Sequence, residues 1–136
     1  MDMEIYFPGG KRVDAKYGDL IIPTDQSVKS GGDGSAPAPF DLFLTSIGAC
    51  AGIYVLSFCQ SRNIPTDDIR LKMSINYNQQ IKLIDTITIT VELPSDFPEK
   101  YVQPVIKAAE LCAVAKHLYN PPQIKLEAEV KQETSV

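Results

Sequence analysis

Two patterns stand out along the chain. From Leu42 to Ser61 no side chain carries a charge and apolar residues fall on every side, the mark of a helix with no solvent face. From Ile84 to Leu93 the order is instead strictly alternating: Ile87, Ile89 and Val91 point one way, Thr86, Thr88, Thr90 and Glu92 the other. Period two predicts a half-buried antiparallel strand. The uncharged run predicts a helix from about Phe40 to Arg62, with Pro39 at its start, Asp41 near its positive end and Asn63-Ile64-Pro65 as its stop. Such a helix is roughly 30 Å long and has to cross the core.

The remaining elements are set by turn residues. Glu4–Phe7 and Lys11–Ala15 flank Pro8-Gly9-Gly10 and read as a hairpin. Leu20-Ile21-Ile22 gives a third short strand. Ser30 to Pro39, rich in Gly, Ser and Pro, lacks the Gly-Lys-Ser/Thr of a phosphate loop and reads as a connector. Ile69–Tyr77 pairs with the alternating strand as a second hairpin. Ser95 to Glu99 reads as a helix start, and the helix beyond it carries Tyr101, Val105, Ala109 and Cys112 on one stripe, with Pro104 shortening it. Ala113–Tyr119 makes a short helix ended by Asn120-Pro121-Pro122. Ile124–Val130 alternates again as a last strand, and Gln132–Val136 is a tail. The expectation is a single α+β domain over 1–136, in the order βββ-α-ββ-α-α-β.

Composition narrows the function. The 136 residues carry 13 basic and 17 acidic side chains, a net charge of -4, which argues against nucleic acid or anionic membrane as a partner. The uncharged run is long enough to span a bilayer, but its centre, Gly48-Ala49-Cys50-Ala51-Gly52, is small rather than greasy. A buried helix of a soluble protein is the better reading. Met1-Asp2-Met3-Glu4 lacks the basic and apolar regions of a signal peptide, and three cysteines are too few, and odd in number, for a secreted disulfide scaffold. A cytoplasmic protein with free thiols is expected. No cofactor is called for, and no Cys-x-x-Cys or His pair suggests a metal.

The chemistry therefore rests on Cys50, Cys59 and Cys112. Nine helical positions place Cys59 opposite Cys50, as a small buried hydrophobe. Cys50, among glycines and alanines, is either a tight packing position or a thiol that a substrate can approach; Ser46 and Tyr54 share its face. Cys112 falls where one helical piece gives way to another. There it either packs in the stripe or feels the positive end of a helix, which favours thiolate. His117, the sole histidine, reads as structural or exposed.

The stretch from Gly31-Gly32-Asp33-Gly34-Ser35 through Pro39-Phe40-Asp41-Leu42 to Gly48-Ala49-Cys50 resembles the signature of the OsmC/Ohr family. That signature is a Gly-rich loop, Pro-x-(Glu/Asp)-Leu and a helix reaching a small-small-Cys. Cys112-Ala113-Val114 matches its second element, Cys-x-Val, and Gly52 to Cys59 resembles the YhfA-like, general OsmC branch. The resemblance implies an OsmC-like fold, antiparallel sheets wrapped around long buried central helices in an intertwined homodimer. It also implies reduction of organic hydroperoxides at the dimer interface, with Cys50 as peroxidatic and Cys112 as resolving cysteine and a dithiol of the dihydrolipoyl type as reductant. Family peroxidases hold the nucleophile as thiolate with an Arg and a Glu. Here Phe40 stands ten before Cys50, so Asp41 and Arg12 are the candidates for those charges. Two other readings share the fold: a non-catalytic dimer binding a small apolar ligand, and thiol or persulfide sulfur transfer.

Overall fold

The computed structural model describes residues 1–132. β1 (Glu4–Gly9), β2 (Arg12–Tyr17) and β3 (Leu20–Ile22) form an antiparallel sheet in chain order. Gly10, at φ +58, lets the first hairpin turn back on itself. This sheet hardly packs on the rest of the chain. Ile5, Phe7, Leu20 and Ile21 are exposed.

The segment between β3 and the long helix is wound around one carboxylate. Asp25, fully buried, accepts hydrogen bonds from the backbone N–H groups of Gln26 (2.7 Å), Asp33 (3.3 Å) and Ser35 (3.0 Å) and from the Ser35 hydroxyl (2.6 Å). Its own N–H donates to the Pro37 carbonyl at 3.1 Å. A Cβ at Gly32 would lie 2.2 Å from the Gln26 carbonyl oxygen, so only glycine lets the loop close this tightly. The Gly-rich connector is thus a compact loop held from its centre, and it delivers the chain to the helix start.

That helix, α1 (Pro39–Gln60), begins on Pro39, with Asp41 accepting from the Ala38 N–H at 3.1 Å. It ends as Asn63 turns left-handed at φ +54 and Ile64 N–H returns to the Cys59 carbonyl at 2.9 Å. Among the described residues α1 is the one helix long and apolar enough to cross a bilayer, yet one side of it is core. Ile47, Ala51, Val55, Phe58 and Cys59 are buried. The expectation of a helix buried all round is met on that side only: Thr45, Ala49, Ile53 and Ser57, one helical stripe, are exposed in the single chain.

β4 (Arg70–Asn78) and β5 (Leu83–Glu92) form the second hairpin, with a bulge between Asn76 and Tyr77. Ile87, Ile89 and Val91 face inward while Thr86, Thr88, Thr90 and Glu92 face out, as the alternation requires. Val55, Phe58, Cys59 and Ile69 close a core with Phe97 and Val105. Phe58 meets Tyr101 edge to face at 5.7 Å, and the Arg62 guanidinium lies over Phe58 at 3.6 Å.

Three expectations need correction. The helix expected to start over Ser95–Glu99 starts only at the end of that stretch, as a 3-10 turn over Glu99–Tyr101 that runs into α2 (Val102–Ala109), so Pro104 falls in the first turn of α2, where a missing N–H costs little. Cys112 is not on α2 but caps α3 (Ala113–Tyr119). The last strand, Ile124–Val130, does not form: among the described residues nothing beyond α3 is paired, and Ile124, Leu126 and Val130 are exposed. Alternation supplies a strand's faces but not its neighbour, and β5 pairs with β4 alone. Of the tail, 133–136 lie outside the described residues.

Candidate functional site

Cys50 is carried by the half-exposed flank of α1, and Cys112 is brought to it from the junction of α2 and α3. The chain leaves α2 at Ala109, Cys112 N–H bonds the Ala109 carbonyl at 3.3 Å, and Cys112 then takes an extended ψ of 121° before α3. A residue in that cap position leaves the next amides without partners inside their own helix. Those of Val114 and Ala113 are turned toward the Cys50 sulfur.

The consequence is electrostatic. The Val114 N–H and then the Cys112 thiol lower the pKa of Cys50; burial opposes them more weakly, and the Ala113 N–H adds a still smaller lowering. Each of these donors stabilises the thiolate by donating to it. Cys112 is pushed up, first by burial, with 3 % of its surface exposed, and further by the neighbouring Cys50. Cys112 Sγ also lies 4.0 Å from the Ile47 carbonyl oxygen. The two thiols are free, adjacent and unlike: Cys50 is made easier to ionise than an ordinary cysteine and Cys112 harder.

The sequence placed Cys112 at the positive end of a helix and expected Cys112 to gain from it. The helix start is there, and its Ala115 and Val114 amides do favour the Cys112 thiolate, but burial outweighs them, while Val114 and Ala113 also serve Cys50. Cys59 is fully buried and its pKa is raised by that burial. Ser46, expected near Cys50, donates its hydroxyl to the Phe43 carbonyl at 2.6 Å. His117, exposed, places Nδ1 at 2.6 Å from the Ala113 carbonyl oxygen. Within one chain neither charged candidate acts on Cys50. Asp41 is engaged at the helix start, nine residues and about 13 Å along the axis from Cys50. Arg12 belongs to the outlying first sheet.

Beside Cys112 opens a groove of about 860 Å³ between β5 and the helices. Ile87, Ile89 and Val91 form one wall, and Ile106, Ala115 and Leu118 the other. Its lining is mostly aliphatic, which suits an apolar molecule. Met73 presses on α1 from β4: a Cβ at Gly48 would meet its sulfur at 2.5 Å. The sequence carried no signal for that contact, because it depends on how β4 crosses the helix. Among the described residues no cluster of His, Cys, Asp and Glu could hold a metal.

Comparison with known proteins places the fold. Residues 32–127, which include both thiols and the end of the loop before α1, match the family model described as OsmC-like protein. No curated protein matches the sequence. Among solved structures, a hypothetical protein from Aquifex aeolicus VF5 superposes with a TM-score of 0.67 at 20% identity, over 98% of this chain and 97% of that one. An OsmC like protein from Mycoplasma pneumoniae gives 0.68 at 13% identity, over 88% and 87% of the two chains. The organic hydroperoxide resistance protein OhrB of Bacillus subtilis gives 0.53 at 20%, over 89% and 93%. At these identities the likeness is one of fold.

Proposed function

The chain belongs to the OsmC-like protein family, and from that premise we propose that it reduces organic hydroperoxides, with Cys50 as the attacking and Cys112 as the resolving thiol. The observation that carries this reading is the opposite bias of the two adjacent thiols. The Cys50 thiolate attacks the distal oxygen of ROOH; the O–O bond breaks, the sulfur takes the distal OH as a sulfenic acid, and the departing RO⁻ takes a proton from water to leave as ROH. Cys112 then gives up its proton and attacks that sulfur, releasing water and closing a disulfide. A small dithiol, of the dihydrolipoyl type, returns both thiols by exchange. The name of the B. subtilis structure, organic hydroperoxide resistance, points the same way. The aliphatic groove favours an alkyl or aryl hydroperoxide over hydrogen peroxide.

The active unit is proposed to be a homodimer. One uncharged stripe of α1 and the apolar Ile5, Phe7 and Leu20 of the first sheet are uncovered in the single chain, and a second copy would cover both. Arg12 would then reach a Cys50 site from the second copy's sheet, and Asp41 would act only by fixing the start of α1. The expected place of work is the cytoplasm.

The groove gives a second reading a specific basis: a dimer that binds an apolar ligand without turnover. Mixing reduced protein with one equivalent of cumene hydroperoxide, and mapping thiol states by mass spectrometry over seconds, separates the two. Rapid Cys50–Cys112 disulfide with Cys59 still reduced supports the peroxidase; unchanged thiols overturn it in favour of ligand binding. Loading of Cys50 by a persulfide donor but not by peroxide would instead indicate sulfur transfer.

A further inference from the structure

The ring of His117 lies in solvent, as expected of a structural or exposed histidine, but it makes one short bond. A carbonyl oxygen only accepts, so the 2.6 Å contact with Ala113 O fixes the ring proton on Nδ1. The Ala113 carbonyl and the Val114 N–H are the two ends of one planar amide. The Val114 N–H is also the foremost of the groups facing the Cys50 sulfur. Imidazole and sulfur thus face the two ends of one amide.

We infer that His117 is a positioning residue for Cys50: its Nδ1–H, bonded to the Ala113 carbonyl, holds and polarises the amide whose N–H is directed at the sulfur. The inference rests on the reading of Cys50 as the reacting thiol. Donation to the carbonyl oxygen draws electron density along the amide and makes its N–H a stronger donor. It also ties the last turn of α3, a helix of 7 residues, to its first. That restrains the direction of the Val114 N–H in a helix too short to hold itself.

The test is the pH profile of Cys50 alkylation by iodoacetamide in the reduced full-length protein, followed by peptide mass mapping to separate the three thiols. His117→Ala removes the donor; His117→Asn puts an amide N–H where Nδ1 stands. The ring is exposed, and circular dichroism melts verify that both variants fold. His117→Ala is expected to move the Cys50 profile to higher pH and slow alkylation at neutral pH about twofold, with the same plateau at high pH. His117→Asn is expected to keep the wild-type profile. An alanine profile superposing on wild type overturns the inference, as does an asparagine profile displaced as far as alanine. A wild-type Cys50 that titrates like a free cysteine would instead remove the reading beneath it, which tells the two failures apart.

Discussion

The Cys112 thiol donates toward Cys50 and is itself made harder to ionise by doing so. A pair of cysteines in which each could serve as nucleophile becomes an ordered pair, with Cys50 ionised first. The order comes from burial of Cys112, which outweighs the α3 amides at that sulfur, and from the donors around Cys50, which outweigh its burial.

Removing the donor tests this directly. Cys112→Ala should raise the pKa of Cys50, yet leave it below that of a free cysteine, because the Val114 and Ala113 amides remain. Alkylation rate against pH measures it; an unchanged profile would show that Cys112 contributes nothing. Under the proposed chemistry Cys50→Ser abolishes consumption of cumene hydroperoxide, and Cys112→Ser stops after one equivalent per chain.

Asp25 should make the fold acid-labile in a defined window. Its carboxylate is held at about 2, first by the Ser35 hydroxyl, against 3.8 for the free group. Between those values the unfolded chain binds a proton that the folded one does not, so stability rises with pH there. The contribution is complete above 3.8 and is lost as pH falls toward about 2. Urea unfolding midpoints measured through this range should fall steeply for wild type. Asp25→Asn should show a flatter dependence and a lower midpoint at neutral pH.

Three glycines should respond differently to alanine. At Gly32 the new Cβ meets backbone at 2.2 Å, and the loop has to open, at a cost of about 3 kcal/mol. At Gly48 the obstacle is the Met73 side chain, which can turn aside. Helix propensity returns about 1 kcal/mol, so the net change in a urea titration should be small, and Met73→Ala should make it stabilising. At Gly52 nothing lies within 4 Å. Alanine there should stabilise an isolated chain by about 1 kcal/mol; if α1 packs on a second copy, it should weaken association instead.

The exposed stripe of α1 predicts its own result. Ile53, 52% exposed in the single chain, should be buried in the dimer. Ile53→Glu should convert a dimer at micromolar concentration into a monomer in sedimentation. A wild-type monomer would remove the dimer proposal.

Much of this fold was legible because its signals are local. The alternation from Thr86 to Glu92 needs only its own residues to say which face is inward, and the Asn63 stop of α1 is written in the chain. Ile124–Val130 shows the limit of the same logic, since a pattern of faces says nothing about whether an edge is on offer. The thiol site divides similarly. Cys50 stands out among small residues and Cys112 at a helix junction. That the amides of Ala113 and Val114 would point at Cys50 depends on how α3 lies against α1, which spacing along the chain does not encode. Asp25 gives no sign of its role in the sequence, because a lone acid before a Gly-rich run looks like any solvated loop residue until its donors are in place.

Cys59, sealed at 0 % exposure in the core beside Val55 and Phe58, gives the protein a built-in gauge of its own integrity. A reagent can reach that sulfur only when α1 parts from α2, so its slow labelling under native conditions times the rare opening of the whole core. The same sample can therefore report reaction at Cys50 and survival of the fold in one mass spectrum. Any variant that speeds labelling of Cys59 has loosened the scaffold, whatever it has done to the chemistry.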